Sequence, residues 1–205
     1  MTMLNTSLEH FAADLASSSP TPGGGGAAAL AGALAAALGN MVGNLTIGKK
    51  KYAQNEPRLK QLDAMAERLR GQLLQQIDAD AEAFEPLSKA YSIPKDQEGR
   101  DETLEQCLHQ AAEPPMQILR LSCNVIQLVQ EYAELGSKLM ISDAGCAASL
   151  AKSAVQCAAL NVYVNTRLMK DKKYADSLME EVKVRMDRYL PAADDVYQTI
   201  LEALQ

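Results

Sequence analysis

One acidic side chain stands where the sequence pattern predicts an apolar one. From Leu62 to Tyr91, apolar residues recur every three or four positions, which is the repeat of a half-buried helix. The repeat has one gap, and Asp80 fills it. Burial raises the pKa of a carboxyl group, and a carboxyl that titrates near neutral pH can both accept and release a proton. Asp80 is therefore predicted either to satisfy a buried partner or to transfer protons in a reaction.

A glycine run that opens a helix is the second candidate for chemistry. Gly23 to Gly26 follow Pro20 and Pro22, and an Ala/Leu-rich helix is predicted from 25 to 47. The N-terminus of a helix offers free backbone N–H groups and the positive end of the helix dipole, which suit a carboxylate or a phosphate. Alternatively, the glycines only allow a loop to pack tightly. Lys49 to Lys51 close the same helix, and they are either an anion site or a solvated helix end.

Two other interpretations of this stretch are rejected. Residues 23–48 carry no charge and could span a bilayer by length, but Ala and Gly dominate them, which is more typical of a buried helix. Gly43, Gly48 and Lys49 fit the spacing of a P-loop. Lys50 then stands where a Ser or Thr must hold magnesium, so we do not expect nucleotide binding.

Polar residues also mark a predicted helix from 144 to 169. Asn161 and Asn165 lie one turn apart on a face of small apolar residues, so they are either a hydrogen-bonded core pair or part of a ligand pocket. Asp143 directly precedes this helix, and its simplest interpretation is an N-cap.

The whole chain predicts an all-α protein. Good helix formers dominate its 205 residues, so we expect a bundle of long antiparallel helices in a single domain, 1–205. The net charge of −6 disfavours nucleic acid, and no targeting segment is recognisable, which predicts a cytoplasmic protein. The four cysteines form no C-x-x-C pair and the two histidines stand apart, so no metal site is predicted.

Proline and apolar periodicity set the expected helix bounds. Besides the two helices given above, we expect helices over residues 3–16, 57–91, 100–112, 116–135 and 174–204. Proline cannot donate a backbone hydrogen bond, so Pro86 should kink or end its helix, Pro114 and Pro115 should separate two helices, and Pro191 should break or bend the last one.

Together, these segments resemble the cyclodeaminase/cyclohydrolase family of folate enzymes. The matching segments are SSSPTPGGG (17–25), NLTIGKKKY (44–52), DADAEAF (78–84), SDAG (142–145) and LNVYVN (160–165). Each is weak alone, but their order and spacing make the set specific. The chain departs from the family pattern at Gly26, where Ser is usual, and in the residues before SDAG.

The resemblance implies an all-helical homodimer that acts on tetrahydrofolate with no other cofactor. It places the catalytic aspartate at Asp80, the residue that the helical repeat also selects. The substrate contacts that it implies or that the pattern suggests are at Pro22, Gly23, Gly24, Gly25, Lys49, Lys50, Asp143, Asn161 and Asn165. We also expect a homodimer because the many small residues of the Ala/Gly helix favour close helix–helix packing.

Three functions remain open at this point. The first is a formiminotetrahydrofolate cyclodeaminase, which closes the ring of 5-formiminotetrahydrofolate to 5,10-methenyltetrahydrofolate and releases ammonia, with any formiminotransferase supplied as a separate protein. The second is a methenyltetrahydrofolate cyclohydrolase, which opens 5,10-methenyl- to 10-formyltetrahydrofolate. The third is a non-catalytic helical subunit that binds folate or docks on another enzyme.

Overall fold

The chain folds into six α-helices joined by short connections. The computed structural model describes residues 2–205, in which the helices are α1 (Leu8–Leu15), α2 (Gly24–Asn44), α3 (Glu56–Tyr91), α4 (Arg100–Leu135), α5 (Ile141–Thr166) and α6 (Lys172–Leu204). Three short 3-10 helices are also present: Met3–Asn5 precedes α1, Lys50–Asn55 lies between α2 and α3, and Lys138–Met140 lies between α4 and α5. No β-strand occurs in residues 2–205. The predicted all-α class is confirmed.

Helix α2 is the central element of the bundle, and it contacts α3, α4 and α5. Its glycines allow these neighbours to approach closely: a Cβ at Gly32 would lie 2.9 Å from Ser122 Oγ, and one at Gly39 would lie 2.9 Å from the ring of Tyr132. By length and composition α2 could cross a membrane, yet 61% of its most apolar 18-residue stretch is buried inside the protein. We therefore interpret α2 as a core helix.

Helix α3 lies antiparallel to α2. Gly25 at the start of α2 faces Asp80 near the end of α3, whereas Gly43 at the end of α2 faces Asp63 near the start of α3. The predicted apolar stripe of α3 is largely buried, as at Leu62, Leu69, Leu73, Ile77 and Leu87. Tyr91, at the end of the stripe, is exposed instead.

The predicted separation of two helices at Pro114 and Pro115 is wrong, and no helix ends at Pro86 or Pro191. Helix α4 continues through Pro114 and Pro115, and α3 and α6 continue through Pro86 and Pro191. A proline deprives the carbonyl four residues earlier of its donor. Pro86 and Pro191 are exposed, so water can supply a donor there. In α4 a side chain supplies it: Asn165 Nδ2 donates to the carbonyl oxygen of Ala111, four residues before Pro115, at 3.1 Å.

Two helix starts also differ from the prediction. The segment 3–16 is not one helix, because α1 begins only after Ser7, whose Oγ accepts a hydrogen bond from the backbone N–H of His10. Asp143 is not an N-cap: Met140 holds that position, and Asp143 lies in the first turn of α5, where a carboxylate is favoured by the helix dipole.

Candidate active site

The carboxyl group of Asp80 is held against the glycine-rich start of α2. A Cβ at Gly25 would lie 2.2 Å from Asp80 Oδ1, so any side chain at residue 25 would displace the carboxylate. The helical repeat of α3 turns Asp80 toward the bundle, and the glycine makes room for it there. This explains in physical terms why a glycine run and a stripe-breaking acid occur in the same chain.

Burial sets the protonation of this carboxyl. Desolvation raises the pKa of Asp80 from its usual 3.8 to about 6, although the backbone amide of Gly26 lowers it in part. That amide belongs to the first turn of α2, where the helix dipole also favours a negative charge. Asp80 therefore changes its protonation state close to neutral pH, as a group that accepts and then returns a proton should.

Asp80 opens into a small cleft between α2, α3, α4 and α5. The cleft has a volume of about 210 Å³. It is lined by residues of all four helices and of the preceding loop: Pro20, Thr21, Gly23, Gly24, Asp80, Phe84, Ala111, Pro115, Asn161, Val164 and Asn165. Most of these are apolar or small, with a few polar groups that converge on the same space, as is typical of small-molecule sites.

The two asparagines of α5 form a fixed pair at this cleft. Asn165 is buried, and its Nδ2 donates to the backbone carbonyls of Ala111, at 3.1 Å, and Asn161, at 2.9 Å. Asn161 Nδ2 donates to the carbonyl of Cys157 at 2.8 Å. A Cβ at Gly24 would lie 3.0 Å from Asn161 Nδ2, so the absence of a side chain at Gly24 leaves room for the Asn161 amide.

A wider groove adjoins the cleft at Pro20, Thr21 and Phe84, which line both spaces. The groove has a volume of about 580 Å³. Its lining carries more acids than bases, with Asp78, Glu82 and Glu85 beside Lys89. Asp78 Oδ1 accepts a hydrogen bond from the backbone N–H of Met3 at 2.7 Å, which fastens the N-terminal segment to α3.

The predicted site residues fall into two groups. Gly23, Gly24, Asp80, Asn161 and Asn165 line the cleft together, and Gly25 supports Asp80. Pro22 is buried behind the cleft, with its Cβ 3.4 Å from the position of a Cβ at Gly26.

Lys49, Lys50 and Asp143 lie at the opposite end of the bundle. The 21 residues of α2 separate the lysines from the glycine run, which is ~30 Å at 1.5 Å per residue. Lys49 Nζ is 3.2 Å from Ser137 Oγ, close to the start of α5 where Asp143 lies. One protomer therefore does not bring these three residues to Asp80.

A second carboxyl group, that of Asp63, is half-buried at the far end of α2, and no sequence pattern indicated it. Asp63 Oδ1 accepts a hydrogen bond from Tyr132 Oη at 2.6 Å, and a Cβ at Gly43 would lie 2.0 Å from the same oxygen. Asp63 Oδ2 and Asn40 Oδ1 are buried acceptors without a donor among residues 2–205. Desolvation raises the pKa of Asp63, which the hydrogen bond from Tyr132 lowers in part.

Six cleft residues were not among the predicted site residues: Pro20, Thr21, Phe84, Ala111, Pro115 and Val164. One signal was available for part of this wall. A pair of adjacent prolines inside an apolar helical pattern leaves carbonyl groups that a side chain must satisfy, and asparagine is a suitable donor. Phe84 and Val164 carry no such signal, because what they face depends on how α3 and α5 are placed around α2 and α4.

Fold and site together define an all-helical protein with a carboxyl group of raised pKa in a small cleft. Comparisons with known proteins give the family. The family model described as formiminotransferase-cyclodeaminase matches residues 7–184 of this chain. The chain therefore belongs to the formiminotransferase-cyclodeaminase family, as its sequence motifs indicated.

Three relatives illustrate the range of this family. The chain is 42% identical to a methenyltetrahydrofolate cyclohydrolase of Methylorubrum extorquens over 200 residues, which cover 96% of each protein. It is 31% identical to the formimidoyltransferase-cyclodeaminase of Mus musculus, but it spans only 36% of that protein's length. The crystal structure of a formiminotetrahydrofolate cyclodeaminase from Thermotoga maritima superposes with a TM-score of 0.84 at 32% identity, covering 96% of this chain and 98% of that one.

Proposed function

We propose that this chain is a methenyltetrahydrofolate cyclohydrolase that opens 5,10-methenyltetrahydrofolate to 10-formyltetrahydrofolate. The observation that carries the proposal is the carboxyl of Asp80, which titrates near neutral pH in a cleft that also holds a buried, fixed amide. The 42% identity to a cyclohydrolase over almost the whole of both chains supports this reaction among those of the family.

Asp80 has two tasks in the proposed reaction. Its carboxylate takes a proton from water while the water oxygen forms a bond to the methenyl carbon, and its acid form then gives that proton to N5 as the carbon–N5 bond breaks. The hydroxyl proton of the intermediate is lost as the formyl C=O forms, and it leaves through Asp80 to solvent. Burial that raises the pKa to about 6 brings both protonation states within reach at neutral pH.

A cyclodeaminase is the second candidate function. It is supported by the similarity to the Thermotoga maritima structure, whose name states that activity. In that reaction N10 attacks the carbon of the protonated formimino group, and Asp80 moves the N10 proton to the departing nitrogen. The bond from the carbon to that nitrogen then breaks, which releases ammonia and leaves the 5,10-methenyl cation. A formiminotransferase would then have to supply the substrate; the chain spans 36% of the length of the mouse relative, whose name includes both activities.

One experiment distinguishes these functions. Purified protein is incubated with 5,10-methenyltetrahydrofolate, with 10-formyltetrahydrofolate as the measured product, and separately with 5-formiminotetrahydrofolate, with released ammonia as the measured product. Turnover of only the first substrate supports the cyclohydrolase, and turnover of only the second refutes it in favour of the cyclodeaminase. If neither substrate is turned over, both proposals are refuted and a non-catalytic role is favoured.

We further propose a cytoplasmic homodimer. The outward face of α2 carries the exposed side chains Leu34 and Met41, and Leu45 follows directly at its C-cap; each is more than 40% exposed in one protomer. Such a stripe on a central helix suits the same stripe of a second copy, since a two-fold interface is self-complementary. Light scattering at micromolar concentration should give a dimer, and Leu34→Glu should give a monomer. A monomeric parent protein with full activity contradicts the proposal.

A further inference from the structure

The amide of Asn165 can take only one orientation. Its Nδ2 donates to the carbonyl oxygens of Ala111 and Asn161, so both of its hydrogens are used. The opposite orientation would place Oδ1 against two carbonyl oxygens, where it could only be repelled. The carbonyl of Ala111 can accept this hydrogen bond because Pro115, four residues later, has no N–H to donate to it.

This orientation leaves Oδ1 of Asn165 as an acceptor without a donor. Among residues 2–205 no hydrogen bond reaches that atom, and the residue is only 8% exposed. This oxygen is not one of the fully buried atoms without a partner, so it remains accessible to a donor from outside the protein. Asn165 lines the cleft that it shares with Asp80, so a molecule in that cleft can donate a hydrogen bond to this oxygen.

We propose that Asn165 is a specificity-determining residue whose Oδ1 accepts a hydrogen bond from the reacting O–H or N–H group. The inference rests on the proposed function. In the cyclohydrolase reaction the two hydrogens of the attacking water face two acceptors: Asp80 takes one as a proton, and Asn165 accepts a hydrogen bond from the other. In the cyclodeaminase reaction, the N–H of the departing nitrogen takes the same place.

The pair of acceptors also predicts what the site rejects. A ligand with a carbonyl oxygen at this position brings no hydrogen, so its oxygen faces Oδ1 of Asn165 without a bond. 5-Formyltetrahydrofolate is such a ligand, because it carries an oxygen where 5-formiminotetrahydrofolate carries an N–H. Sites that hydrogen-bond a substrate N–H or O–H discriminate strongly against analogues that lack it.

The test measures kcat, KM and the inhibition constant of 5-formyltetrahydrofolate for the parent protein and for Asn165→Leu. Loss of the acceptor should lower kcat ~10-fold, since one hydrogen bond is involved. It should also make 5-formyltetrahydrofolate bind more tightly relative to the KM of the substrate. A purely structural role for Asn165 would weaken both ligands together and would not tighten either of them.

Thr166→Val is the matched control on the next position of α5. Thr166 is also buried, and its hydroxyl donates to the carbonyl of Tyr163, but it does not line the cleft. It should lower the melting temperature and leave the ratio of the two constants unchanged. An unchanged ratio in Asn165→Leu, with the parent active, overturns the assignment of Asn165 alone. A parent that neither converts nor binds these folates overturns the proposed function instead.

Discussion

Replacing Asp80 with asparagine should separate catalysis from stability. The amide keeps the size of the carboxyl and an oxygen for the backbone amide of Gly26, but it cannot exchange a proton. Acid–base catalysis by one positioned group contributes roughly 10²- to 10⁴-fold, so kcat of Asp80→Asn should fall by that factor. The assay is turnover of 5,10-methenyltetrahydrofolate, with the melting temperature measured on the same samples.

The stability of the variant should rise at neutral pH. The folded-state pKa of about 6 lies above the usual 3.8, so the folded protein binds the proton more tightly than the unfolded chain does. Stability is therefore lost as pH rises from about 4 to about 6, and the full cost is present above that range. A shift of about two pKa units corresponds to ~3 kcal/mol, an upper limit on the gain from removing the charge.

Both the stability and the turnover effects of Asp80→Asn should depend on pH. The melting temperature of Asp80→Asn should exceed that of the parent at pH 7 and approach it at pH 4, where the parent's Asp80 is protonated. The turnover rate of the parent should rise through about pH 6, as the base form of Asp80 appears, and the variant should lack that step. A step of the same kind in the variant would assign the base to another residue.

Asp78→Asn is the control, because Asp78 lies two residues away on the same helix and is not part of the Asp80 cleft. Its Oδ1 accepts from the backbone of Met3, and an amide oxygen can do the same. Comparable activity losses in the Asp78 and Asp80 variants would refute the reasoning, since only Asp80 replaces a core residue on the apolar stripe.

Three other substitutions test the arrangement around this carboxyl and at the far end of α2. Gly25→Ala would place a Cβ 2.2 Å from Asp80 Oδ1 and should lower kcat at least ~10-fold, whereas Gly71→Ala, with no atom within 4 Å of its Cβ, should leave the rate unchanged. Asp63→Asn should raise the melting temperature at pH 7 by roughly 2–4 °C, about 1 kcal/mol, because it replaces a buried carboxylate oxygen that has no donor; no gain in a thermal melt would contradict this. Lys49→Ala should raise KM for a polyglutamylated folate with kcat unchanged if Lys49 binds the anionic tail, and equal KM values would leave that lysine a surface residue.

The sequence predicted the parts of the site that depend on a single helix. Asp80 was predicted because it is the one acid in an otherwise regular apolar stripe. The structure buries that stripe of α3, as predicted. The glycine run was found because helix starts have a recognisable chemistry. Asp63 was not found, because its burial depends on the missing side chain of Gly43 on another helix.

The remaining features depend on how distant segments meet. Lys49 and Asp143 have the charges expected of a ligand site, but the antiparallel order of the helices places them at the far end of the bundle from Asp80. Pro115 shows the opposite case, in which a residue predicted to break a helix contributes to the site. By leaving the Ala111 carbonyl without a helical donor, it fixes the amide of Asn165, and that amide then offers the cleft an acceptor and no donor. This property of the cleft therefore depends on a contact between residues 54 positions apart in the chain.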